Sequence, residues 1–134
     1  MILPNGATVA VVDGHRLLLF KNMAHEPGIE LLALPTPRLP EGHGGSGAHH
    51  RNSIANPDKM RLLEDDFAAT ACAALNRAAV ACEITTLLII ADARTLGEMR
   101  RHFHRSLKER LLGEIVKDMT GRSKTEIEAA IRTA

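Results

Sequence analysis

Ala7-Thr8-Val9-Ala10-Val11-Val12-Asp13-Gly14-His15-Arg16-Leu17-Leu18-Leu19-Phe20 is the stretch on which the fold turns. Ala7 to Val12 is a run of β-branched residues and alanine that closes on Asp13-Gly14, and Leu17 to Phe20 resumes the apolar run almost at once. Two such runs around an Asp-Gly pair predict a β-hairpin, because glycine supplies positive φ at no steric cost. Ile29 to Leu34 adds a third predicted strand, stopped by Pro35, Pro37 and Pro40. The chain therefore opens on an antiparallel meander.

Beyond it the composition changes. From Arg38 to Pro57, and above all over Glu41-Gly42-His43-Gly44-Gly45-Ser46-Gly47-Ala48-His49-His50, there is no periodicity and little apolar surface to bury. This reads as a long flexible Gly/His loop, a feature that in compact domains is either functional or disordered. Asn56-Pro57 predicts a helix start, with Asn56 as cap and Pro57 in the first helical position. Met60, Leu63, Phe67, Ala71, Leu75 and Ala78 follow at helical spacing. Thr85 to Ala91 is nearly all apolar, as expected of a strand covered on both faces. Thr95 with Glu98 has capping-box spacing for a helix that carries Leu96, Met99 and Phe103 inward. Leu111 to Met119 suits helix or strand, and Ser123 with Glu126 is a second capping box, opening a terminal helix through Ile127 and Ile131. The pattern is α/β, alternating helices and strands after the meander.

Length and composition bound what this pattern can do. The 134 residues suit one domain, 1–134, with a respectable core. Apolar residues at 45% and charged residues at 25% give the balance of a globular chain and not of a disordered one. Trp and Tyr are absent and only Phe20, Phe67 and Phe103 carry aromatic rings of the Phe/Tyr/Trp kind, which weakens a reading as a base-stacking protein. A formal charge of +1 argues against a strongly electrostatic nucleic-acid binder. No apolar run approaches a membrane span, and the interrupted N-terminal run reads as a strand and not as a signal peptide. Cys72 and Cys82 lack metal-ligand spacing and read as buried thiols in a reducing compartment, which makes a cytoplasmic location the expectation.

Glu64 through Ala68, Leu87-Leu88-Ile89-Ile90-Ala91, Leu96-Gly97-Glu98-Met99-Arg100 and Glu114-Ile115-Val116-Lys117-Asp118-Met119-Thr120, in that order and followed by the closing capping box, resemble the bacterial host-attachment proteins. The Asp13-Gly14 hairpin fits as well. That family is distantly related to the middle domain of archaeal and eukaryotic class-one peptide chain release factors. The resemblance implies a ribonuclease-H-like mixed sheet and a strand ending near Asp118. It implies too that the attachment name records a phenotype, since the sequence shows no adhesin-like repeat array or anchor.

The same resemblance places a loop before the long helix where release factors carry Gly-Gly-Gln at the peptidyl-tRNA ester. Here Gly44-Gly45-Ser46 stands in that place, without the water-positioning amide. Three other groups of residues invite a functional reading. His43, His49 and His50, joined by His102 and His104, are candidate transition-metal ligands, set against the plainer reading of solvated polar residues. Asp13, Asp92 and Asp118 fall at or just beyond predicted strand ends and would hold Mg²⁺ for phosphodiester cleavage if they converge. The plainer alternatives are a turn residue, a helix cap and local backbone bonding. Arg100, Arg101, Arg105, Lys108 and Arg110 form the one dense basic stretch, a candidate contact for RNA phosphates or an acidic partner. No serine triad, phosphate loop or dinucleotide fingerprint is present, so no cofactor is expected. The leading expectation is a non-catalytic binding module acting on the ribosome or a structured RNA, with no membrane partner. The alternative is a metal-dependent hydrolase acting on RNA or a peptidyl-tRNA ester.

Overall fold

The computed structural model describes residues 1–39 and 57–134. Strands β1 (Thr8–Val12), β2 (Leu17–Asn22) and β3 (Leu31–Leu34) form the meander. Helix α1 (Pro57–Val80), strand β4 (Leu87–Ala91), helices α2 (Ala93–Arg100) and α3 (Arg105–Arg110), strand β5 (Leu111–Val116) and helix α4 (Lys124–Thr133) complete the chain. The five strands make one mixed sheet in the order β3-β2-β1-β4-β5. β1 pairs antiparallel with β2, and β2 with β3, whereas β1–β4 and β4–β5 are parallel. The α/β expectation is met, and so is the leading meander.

Strand alternation divides the core in two. Ala10, Val12, Leu17, Leu87, Ile89 and Ala91 face α1, α2 and α3. Val9, Val11, Phe20, Leu88, Ile90 and Ile115 face α4. Every residue of β1 and β4 is buried, which is why both read as almost unbroken apolar runs. The meander is locked by Asn22, wholly buried, whose amide nitrogen donates to the carbonyls of Leu3, Pro4 and Gly28. Its Oδ1 accepts from the amides of Ala24 and Glu30.

Several details depart from the sequence reading. Gly14 does not adopt positive φ; of the described residues only Gly6 and Cys82 do. The hairpin closes through Asp13, whose Oδ1 accepts from the amides of His15 (2.7 Å) and Arg16 (2.6 Å). Glycine stands at 14 for room, because a Cβ there would lie 2.7 Å from the Glu64 side chain. Helix α2 is capped not by Thr95 but by Asp92, which accepts from the Thr95 amide, so it starts earlier than the capping-box spacing suggested. Ser123 does cap α4, accepting from the Glu126 amide. Leu111–Val116 is strand, and Cys82 is exposed, unlike the buried Cys72. The short α3 was not anticipated. The predicted Asn56 cap lies outside the described residues, but Pro57 does begin α1.

Candidate functional site

In open α/β sheets ligands bind beyond the carboxyl ends of parallel strands, where the strand order reverses. Here β1, β4 and β5 are parallel neighbours, and Asp13, Asp92 and Asp118 follow their carboxyl ends. The structure brings two of the three together. The Thr120 hydroxyl, 5% exposed, donates to Asp13 Oδ2 at 2.7 Å and stands 3.1 Å from Asp118 Oδ1. Arg16 Nη2 donates to the same hydroxyl oxygen at 3.4 Å. Burial on its own pushes the Asp13 carboxyl up. The Thr120 hydroxyl, the His15 and Arg16 amides and the Arg16 guanidinium outweigh it and hold the group below its ordinary value.

Asp92 does not join them. Its Oδ1 accepts from the Thr95 hydroxyl at 2.6 Å and its Oδ2 from the Thr95 amide at 3.1 Å, so both oxygens are turned into the first turn of α2. Among the described residues no three His, Cys, Asp or Glu side chains come close enough together to hold a metal ion. The carboxyl edge is therefore a hydrogen-bonded junction of β1 with the segment after β5. Sequence reasoning missed Thr120 and Arg16, the groups that make it so.

Helix α1 starts beyond this edge. Glu64 packs on Gly14, and Asp65 pairs with Arg94 of α2 at 3.1 Å. Pro57 lies seven residues before Glu64, about 10 Å along a helix. The first turns of α1 thus project past the sheet, and Pro57, Asp58 and Lys59 are exposed there. Gly44, Gly45, Ser46, His43, His49 and His50 all lie outside the described residues.

The basic stretch falls on α2, α3 and the turn between them. Asn76 of α1 clamps that turn, donating to the His102 carbonyl and accepting from the His104 amide. His104 Nδ1 accepts from the Ser106 amide, which commits this imidazole to capping α3. Arg100 grips Glu114 of β5 through two bonds of 3.0 and 3.1 Å, and this carboxylate raises the arginine's affinity for its proton. Arg101 pairs with Glu98 and Arg105 with Glu109, while Arg110 donates to the Ser106 carbonyl. Among the described residues only Lys108 of the five has no polar side-chain partner. Both arginines are exposed, and the Arg105–Glu109 pair is exposed on both sides, a setting in which an ion pair is worth about 0–1 kcal/mol, so a phosphate can displace the Glu109 carboxylate; Glu98, the partner of Arg101, is largely buried.

No helix among the described residues is long and apolar enough to cross a membrane. No curated protein matches the chain. A family model described as bacterial archaeo-eukaryotic release factor family 12 matches residues 6–131, which takes in the meander, the long helix, both parallel strands after it and nearly all of α4. With almost its whole length matched, the chain belongs to this bacterial archaeo-eukaryotic release factor family.

Proposed function

We propose that the protein is a non-catalytic module that binds the ribosome or a structured RNA, working as one domain in the cytoplasm. The observation that carries this reading is the family match over residues 6–131. The contact surface is the exposed side of α2 and α3, with Arg101, Arg105 and Lys108 toward the phosphates, helped by the loop holding Gly44-Gly45-Ser46. Serine in place of glutamine removes the side chain that would position a water, so binding is favoured over ester hydrolysis. A ribonuclease-H-like fold and the resemblance to host-attachment proteins belong to the same reading, with attachment as an indirect phenotype.

Co-sedimentation with ribosomes at moderate salt tests the proposal. The protein is expected in the ribosomal pellet, and Arg101→Glu with Lys108→Glu is expected to return it to the supernatant. Binding should weaken steeply as salt rises, as phosphate contacts do. A chain that stays in the supernatant at every salt concentration overturns the reading.

A further inference from the structure

Away from the carboxyl edge, the sheet face under α1 is not fully covered. A groove of about 550 Å³ opens between the second half of α1 and the β2–β3 part of the sheet, within the range of small-molecule sites. Its origin is legible in the residues. Helix α1 turns Ala74 and Ala78, and the turn after it Ala81, toward Leu19 and Leu34, and methyl groups are too short to fill the space between. Pro35 and Pro37 wall one side. Leu32, half exposed, lies on the same face of β3 as Leu34 and extends the apolar strip.

The charges around the groove are unequal. Arg77 and Glu83 line it. Lys21 shares its face by pairing with Thr8 and Leu32, and Arg38 follows Pro37. None of these four has an ion pair among the described residues; Arg77 and Glu83 offset each other in the lining, and Lys21 on the same sheet face with Arg38 next to Pro37 in the chain tip the surroundings toward positive charge. We infer that this groove binds a small anionic amphiphile, with an acyl or aryl body against Leu19, Leu34 and Ala78 and a single acid group toward Arg77. The site lies at the start of β1, the opposite end of the strand from Asp13, and is independent of ribosome or RNA binding.

Anilinonaphthalene sulfonate, an aryl body with one acid group, is the probe, followed by fluorescence on the whole chain. Saturable uptake is expected, displaced by decanoate but not by decyltrimethylammonium. Arg77→Gln should weaken it about tenfold, the loss of one charge-assisted contact, whereas Glu83→Gln should strengthen it. Ala78→Trp should abolish uptake by filling the groove while circular dichroism stays unchanged. Ala81→Leu, just past the end of α1, serves the same purpose if the tryptophan variant does not fold. Absence of saturable uptake, equal displacement by the cationic detergent, or undiminished uptake by a folded groove-filling variant each overturns the inference. A dimer that dissociates on filling the groove, with no probe uptake, overturns it in favour of a second copy of the chain.

Discussion

Cys82 stands at φ 62°, just past the end of α1, with the Glu83 amide bonded to the Ala78 carbonyl and its own amide to the Ala79 carbonyl. This is the helix ending in which glycine is the ordinary choice, because an L side chain in the left-handed region costs about 1–2 kcal/mol. The thiol recovers little, meeting only Val80 O at 3.9 Å and Arg110 Nη2 at 3.8 Å among the described residues. Cys82→Gly is therefore expected to raise the unfolding free energy by about 0.5 kcal/mol, after the extra chain entropy of glycine is subtracted. Cys82→Ala, which keeps the strain, should not, and urea unfolding separates the two. Asp13 allows a second prediction. Its carboxyl is held below the ordinary value in the folded chain, so the unfolded chain takes up the proton first as the solution is acidified. The resulting stability is fully present above about pH 4 and is lost as pH falls through the folded value. Thr120→Val removes the hydroxyl between Asp13 and Asp118, and its unfolding free energy should fall less on acidification than that of the native chain. Parallel curves for the two proteins would exclude this role for Thr120. At this scale the sequence is a partial guide: Asp13-Gly14 located the turn for a reason that proved only half right. Asp13 closes it, but Gly14 answers to Glu64, a neighbour fifty residues away in the chain, and not to its own backbone angle.

Elements were readable where periodicity or caps were strong. The Ser123 cap lies where it was read and the run read as Thr85 to Ala91 is strand over Leu87–Ala91, because a strand buried on both faces and a serine before an amphipathic turn leave direct marks on local sequence. Helix α2 shows the limit of such marks. Thr95-x-x-Glu98 has capping-box spacing, yet the cap is Asp92, supplied by the end of β4, and Thr95 is buried with its hydroxyl spent on that carboxylate. Two overlapping cap signals were present, and the tight β4–α2 connection selected the earlier. Asp92→Ala is accordingly expected to destabilise the protein by about 1–2 kcal/mol, since it removes a cap and strands a buried hydroxyl. Glu98→Gln, which keeps the side-chain shape and loses a pair whose arginine is exposed, should change stability by no more than about 1 kcal/mol in the same denaturation experiment. Helix α3 left no mark at all: six residues with Leu107 as their one buried side chain cannot show a helical period. The same shortness hides that the dense basic stretch is split between two helices around a turn pinned by Asn76.

At the scale of the whole molecule, the sheet order sets where the protein opens. β1 and β4 lie inside the sheet, paired on both edges and covered on both faces, and every side chain of the two is buried. β3 and β5 are edges. β3 has only four residues, of which Leu32 and Ala33 are exposed, and β5 carries a bulge at its start with Leu112 and Val116 exposed. That arrangement follows from topology, which the alternation of runs suggested but the residues of any one run do not contain. Local opening follows the density of buried apolar contacts. Amides of β1 and β4 should exchange with solvent only through global unfolding, so their exchange free energies should equal the equilibrium value and fall with urea at the full slope. The outward amide of Ala33 in β3 and those of β5 should exchange through smaller openings, with free energies lower by several kcal/mol and a slope near zero at low urea. The Leu31 amide is the informative exception among the edges. It donates to Glu128 of α4 at 2.7 Å, so its protection should follow α4 and not β3, and Glu128→Gln should lower it selectively. Native-state exchange read residue by residue checks both parts, and β3 amides as slow as those of β4 would show that the uncovered face beside the groove is held shut by contacts stronger than those described.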